Sequence, residues 1–157
     1  MDHAFTRREM IQASVLLLGG VCSCRMAGDA GAPRCTCCNS PDLEAESLTV
    51  NEDHLAIDLT KAVSLGDVGN AAWITHEGKG LKLIVVRSGK DEYCVLSRLC
   101  THGGQTVSYN RKRRLLQCNN YNHSNFGLDG RVVKGPAPTP LKSYAVTRVE
   151  NTLVVAI

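Results

Sequence analysis

Residues 81–97 read Leu81-Lys82-Leu83-Ile84-Val85-Val86-Arg87, then Ser88-Gly89-Lys90-Asp91, then Glu92-Tyr93-Cys94-Val95-Leu96-Ser97. Two apolar, β-branched runs separated by four turn-forming residues predict a β-hairpin. The pattern continues on both sides. Further strands are expected over 54–59, 71–75, 114–118, 130–133, 143–149 and 152–156, with turns at Glu77-Gly78-Lys79-Gly80, Asp129-Gly130 and Glu150-Asn151. Only a brief helical turn near 61–68 competes, and no long amphipathic helix does. Short strands at this spacing predict an all-β fold, an antiparallel β sandwich or small barrel. No internal repeat, phosphate-binding glycine loop or serine-nucleophile motif is present in the sequence.

The 157 residues are 43% hydrophobic and 21% charged, which suits one globular domain and excludes disordered, collagen-like and coiled-coil chains. A formal charge of +3 is too weak for a nucleic-acid surface. The basic residues are scattered except for Arg111-Lys112-Arg113-Arg114, which falls at an expected hairpin tip and reads more simply as a solvated turn than as a docking patch. Eight cysteines are the outlier.

Five of them lie near the start. Thr6-Arg7-Arg8-Glu9-Met10-Ile11-Gln12 precedes an apolar run over 13–21 and then small residues, the order of an export signal. Nine helical residues span only about 14 Å, under half of a roughly 30 Å hydrocarbon core, so an ordinary transmembrane helix is not expected. The paired Arg7 and Arg8 resemble a twin-arginine signal; an amphipathic first helix of a cytoplasmic domain is the plain alternative. Cleavage after Gly28-Asp29-Ala30 would remove Cys22 and Cys24; lipidation at Cys24, or retention as an uncleaved anchor, are the other two outcomes. Cys35, Cys37 and Cys38 sit in a Pro/Gly/Ser-rich stretch and are read as linker thiols or a local disulfide rather than a second metal site. The expected organisation is a leader or anchor over 1–30, a cysteine-containing linker over 31–47 and a β domain over 48–157.

Two segments are out of place as strands. Cys100-Thr101-His102-Gly103-Gly104 and Cys118-Asn119-Asn120-Tyr121-Asn122-His123-Ser124 each put one thiolate and one imidazole on a polar loop directly after an apolar run. Fifteen residues separate His102 from Cys118, enough for a strand, a turn and a returning strand that bring the loops together. Two Cys and two His bind either zinc or an iron–sulfur cluster. Structural zinc draws on pairs such as Cys-x2-Cys, whereas one Cys and one His per loop suits a [2Fe–2S] rhombus, with cysteines on one iron and histidines on the other.

These loops, followed by Phe126-Gly127-Leu128-Asp129-Gly130-Arg131-Val132-Val133-Lys134-Gly135-Pro136-Ala137-Pro138, resemble the Rieske iron–sulfur proteins from about residue 48 to the end. The resemblance implies a Rieske fold with the cluster loops at one end, and one [2Fe–2S] cluster held by Cys100, His102, Cys118 and His123. The twin-arginine signal agrees, because respiratory members of that family travel by that pathway. Two departures stand out. The second motif is Cys-x4-His, two residues longer than the family pattern, so that alignment on Phe126 puts Asn122 at the histidine position; His123 is the expected ligand because Asn is a poor one. The extra cysteines that bridge the loops in quinol-oxidising members correspond here to Gln105 and, approximately, Tyr121, so that bridge is absent.

Around the ligands, Tyr121 and Ser124 are expected as hydroxyl donors, Gly103 and Gly104 as exposed backbone donors, and Gly135 and Pro136 as the third loop. The expected role is one-electron transfer, as an exported ferredoxin-like carrier or iron–sulfur subunit of a respiratory complex. It would work in the periplasm or on the outer face of the cytoplasmic membrane, with membrane association through the N-terminus. Redox proteins would be the partners, a quinol-linked or molybdenum-type oxidoreductase complex and a cytochrome, and nucleic acid would not. The alternatives are the quinol–cytochrome c reductase subunit and, from another class, a zinc-stabilised or metal-free β binding module. No catalytic base or substrate pocket is legible, so no catalytic residue is assigned. Cys94 reads as a buried thiol, His54 and His76 as surface histidines, and Trp73 as core.

Overall fold

The computed structural model describes residues 40–120 and 123–157. The expected leader, most of the linker and Cys22, Cys24, Cys35, Cys37 and Cys38 lie outside the described residues, as do Tyr121 and Asn122.

The described chain is all-β. An outer sheet orders β1 (Leu48–Val50), β2 (His54–Asp58), β12 (Thr152–Ala156) and β11 (Val146–Val149). A middle sheet orders β10 (Ser143–Tyr144), β5 (Tyr93–Ser97), β4 (Leu81–Arg87) and β3 (Ala71–His76). A third orders β6 (Val107–Asn110), β7 (Leu115–Cys118), β8 (Asn125–Phe126) and β9 (Val132–Lys134). Every pairing of these strands is antiparallel, as the expected turns require.

β4 explains why three sheets stay together. Its alternate residues face opposite ways: Leu83 and Val85 join Leu55, Ile57, Leu153 and Val155 in one core, and Ile84 and Val86 join Leu116 and Phe126 in a second. A strand buried on both faces reads as a continuous apolar run, and all four of these side chains are at most 1% exposed. Each fully buried one contributes about 1.5–3 kcal/mol, and a charge at Val85 would disrupt the first core. Cys100 and Cys118 belong to the second core, which ties the site to the packing.

Three expectations need correction. The single strand over 143–149 is two: Ser143 and Tyr144 pair with Leu96 and Val95 in the middle sheet, while Val146–Val149 pairs with β12 in the outer one. The chain changes sheets at Ala145, and alternation continues across the change, so the pattern hides it. Strands β1, β6 and β8 were not separately expected, being two to four residues long. Packing also begins before residue 48. The Trp73 N–H donates to Pro41 O (2.8 Å), Leu43 N–H donates to Trp73 O (2.7 Å), and Leu43 lies in the first core. The expected helical turn over 61–68 is a 3-10 turn, Val63–Leu65. Among the described residues no helix is long and apolar enough to cross a membrane.

Candidate metal centre

β5 and β7 both run toward one end of the domain, and a ligand loop leaves each. The first closes on itself: Cys100 N–H donates to Gln105 O (2.7 Å), and Gly104 N–H donates back to Cys100 O (2.8 Å). Gly104 takes a φ of +68°, which glycine adopts without cost. Gly103 N–H also faces Cys100 O, at 3.4 Å. The expected exposed donors are therefore spent within the turn, because so short a loop must satisfy its own backbone groups.

The second loop is stitched to the first by Asn119, which the sequence reading passed over. Its N–H donates to Thr106 O (3.0 Å), its Nδ2 to Thr106 Oγ1 (3.0 Å), and its Oδ1 accepts from Ser108 Oγ (3.0 Å). The third loop clamps both: Thr101 Oγ1 donates to Thr139 O (2.7 Å), and Ala137 N–H donates to Ser124 Oγ (3.2 Å). Gly135, at φ +109°, lets this loop pass Ser124; a Cβ there would lie 2.6 Å from Ser124 Cα. Pro136 beside it is exposed.

Within this frame the ligand atoms of Cys100, His102 and Cys118 all lie within 4.8 Å of one another. Both sulfurs are on buried residues and the imidazole is half-buried, its Nδ1 3.3 Å from Cys100 Sγ. Asn120 Nδ2 meets His102 Nε2 at 3.4 Å, so the second loop also steadies the first loop's histidine. Burial pushes the Cys118 thiol above its ordinary value, and the Cys100 sulfur beside it acts in the same direction; the Asn120 and Ser124 N–H groups directed at the sulfur oppose this. Two backbone donors on a sulfur are the arrangement that stabilises a metal-bound thiolate.

His123 stands apart. It is exposed, holds a φ of +31°, and its Nδ1 lies 2.9 Å from Cys118 O, outside the group of three. The other candidates are elsewhere. Cys94 is a half-buried free thiol 3.7 Å from Ser88 Oγ. His76 Nδ1 accepts from Lys79 N–H (3.2 Å) and caps a 3-10 turn, and His54 Nε2 contacts Asn51 Nδ2 (2.7 Å). Trp73 is half-buried rather than fully core, with the Arg98 guanidinium stacked 4.3 Å from its ring centroid.

Two thiols and an imidazole without a carboxylate, sulfurs inward and imidazole outward, fit a soft metal centre of the iron–sulfur kind. Residues 56–145, more than half of the chain, match the family model described as the Rieske [2Fe-2S] domain. The chain belongs to the Rieske family. Its cofactor is a Rieske-type [2Fe–2S] cluster, and Cys100, His102 and Cys118 are gathered candidates for holding one. The chain is 31% identical over 91 residues to the "Cytochrome b6-f complex iron-sulfur subunit" of Chlorobaculum tepidum, covering 58% of this chain and 49% of that protein. It is 39% identical over 57 residues to "Cytochrome b6-f complex iron-sulfur subunit 3" of Nostoc sp., covering 36% and 32%. The match thus spans half or less of these curated relatives. Among solved structures, the "Complex of reduced oxygenase and oxidized ferredoxin in carbazole 1,9a-dioxygenase" superposes with a TM-score of 0.53 at 21% identity, covering 68% of this chain and 94% of that one, a likeness of fold alone.

Proposed function

We propose that this Rieske protein is a one-electron carrier, with Cys100 and Cys118 as the thiolate ligands and His102 and His123 as the imidazole ligands of its cluster. The gathering of Cys100, His102 and Cys118 within 4.8 Å, at the end where β5 and β7 both terminate, carries this reading. When bound, the cluster supplies a centre that accepts and returns one electron, at a potential raised by neutral imidazole in place of thiolate. The chain's own residues do the rest. Buried sulfurs exclude water, the Asn120 and Ser124 N–H groups offset thiolate charge, and the half-exposed His102 ring gives a partner a short approach.

His123 is the fourth ligand in this proposal because it ends the same loop as Cys118 and its Nε2 has no hydrogen-bond partner among the described residues. His123 itself holds a φ of +31°, in the left-handed region. The carrier is exported by the signal around Arg7 and Arg8 and serves redox partners outside the cytoplasm, between a quinol-linked or molybdenum-type oxidoreductase complex and a cytochrome. A cytochrome b6-f-like subunit role is the second reading, favoured by the names of the relatives and opposed by Gln105 where a bridging cysteine would stand.

Purified full chain should contain iron and acid-labile sulfide in equal amounts and give, once reduced, the rhombic EPR signal of a Rieske centre. Zinc without sulfide would overturn the proposal in favour of a zinc-stabilised module.

A further inference from the structure

The basic run Arg111-Lys112-Arg113-Arg114 is not an isolated turn. It joins β6 to β7 at the end of the hairpin opposite Cys118, and two of its guanidinium groups reach back onto other loops. Arg111 donates to Asn70 Oδ1 (3.2 Å) and Val68 O (3.1 Å), and Arg114 donates to Ser88 O (3.0 Å). Arg87 in turn donates to Leu65 O (3.2 Å), Gly66 O and Lys90 O (2.9 Å). Three loops, 66–70, 87–92 and 111–114, are therefore held together by arginine side chains on backbone carbonyls and on the Asn70 amide oxygen, bonds that leave the charge in place while the buried Arg87 Nε has no partner among the described residues.

The topology puts this assembly at the end away from the metal. The turn 88–91 opens β5, whose far end leads to Cys100, and the turn 111–114 opens β7, whose far end is Cys118. The four steps along β5 separate the two ends by about 13 Å at roughly 3.3 Å per residue. These loops hold six basic residues against Asp67, Asp91 and Glu92, and Asp91 is already paired with Arg148. The balance of +3 equals the formal charge of the whole chain, whose other 12 basic and 12 acidic residues cancel. The end formed by these three loops is cationic, and the gathered Cys100, His102 and Cys118 lie at the other.

We infer that this end is a docking face for an anionic phospholipid surface. A broad array of cations on three loops, led by Lys112 and Arg113 with no side-chain hydrogen bond or ion pair among the described residues, matches a laterally uniform layer of headgroups. A redox partner has to approach His102, at the other end. Attachment by the β6–β7 end would turn the metal end outward, toward soluble partners.

The test is cosedimentation of the full chain with vesicles of phosphatidylcholine alone and of phosphatidylcholine with one-third phosphatidylglycerol, at low and raised salt. Binding should require phosphatidylglycerol, weaken with salt, and fall by at least about thirtyfold in Lys112→Glu/Arg113→Glu, taking about 1 kcal/mol per basic residue removed with the two added carboxylates acting in the same direction. The equal charge change Lys134→Glu/Lys142→Glu, away from the patch, should leave binding within a fewfold. Equal binding to neutral vesicles, equal loss in both double variants, or binding to polyglutamate without binding to anionic vesicles would each overturn the inference. Circular dichroism of each variant separates lost binding from lost folding.

Discussion

The buried hydroxyl of Ser124 receives the backbone N–H of Ala137 at 3.2 Å, so the loop carrying Cys118 and His123 is fastened from outside by the loop that follows β9. That contact exists because Gly135 turns the chain at a φ of +109° with no side chain in the way. Gly135→Ala should therefore lower stability by about 2 kcal/mol or more, from an unfavourable φ together with a Cβ placed 2.6 Å from Ser124 Cα. An unchanged thermal midpoint would show that the third loop is not a clamp. Ser124→Ala should cost about 1 kcal/mol, since one buried N–H loses its acceptor.

Cluster content separates the ligands from the other sulfurs and imidazoles. His102→Ala and His123→Ala should each purify with at least tenfold less acid-labile sulfide, and Cys94→Ser should retain it, because Cys94 sits on β5 beside Ser88, away from the three gathered donors. A His123→Ala variant with full iron and sulfide would remove His123 from the ligand set.

Asn119 holds the two ligand loops in register through Thr106 and Ser108. Replacement by Ala should destabilise the domain by about 1–2 kcal/mol, because the buried Ser108 hydroxyl loses its acceptor. Denaturant melts at constant slope are the measurement; a midpoint shift near zero would place the register elsewhere.

Acid sensitivity should have a source at Glu44. The Glu44 carboxyl is lifted by partial burial but held below its ordinary value overall by its own backbone N–H and by the Ser64 hydroxyl and N–H, both at 2.8 Å. A carboxylate whose folded pKa is depressed contributes stability above its unfolded value of about 4.3 and loses it as the pH falls through the folded value. Glu44→Gln should be less stable than the parent at pH 7, and the difference should shrink below pH 4. A difference constant from pH 7 to 3 would contradict this role.

The redox potential should fall below the upper end of the roughly −150 to +300 mV span of such centres. Gln105 closes the first loop through its own carbonyl and brings no sulfur, so no disulfide links the loops there. A potentiometric titration at the top of the range would refute this.

Much of the architecture was legible in the chain. Alternation and turn residues mark the β3–β4–β5 meander and the β12 strand because period-2 burial is a local property, written residue by residue. The cluster type was legible for the same reason: Cys100-Thr101-His102 and the cysteine–histidine loop after Cys118 specify which donor types are available. Local pattern failed at Ala145, where alternation runs on while the hydrogen-bond partner changes from β5 to β12. It failed again at Gly103 and Gly104, whose N–H groups serve their own turn.

By itself, the sequence determined an all-β chain with two cysteine–histidine loops, since strand period and donor type are carried by neighbouring residues. Only the tertiary structure decided that Asn119, Thr101 and Ser124 lock three loops around Cys100, His102 and Cys118, and that His123 lies at the margin. It likewise decided that Arg87 and Arg114, 27 positions apart, share one cationic end. Those relations depend on which strands lie side by side, and they arise from non-local packing on the two faces of β4.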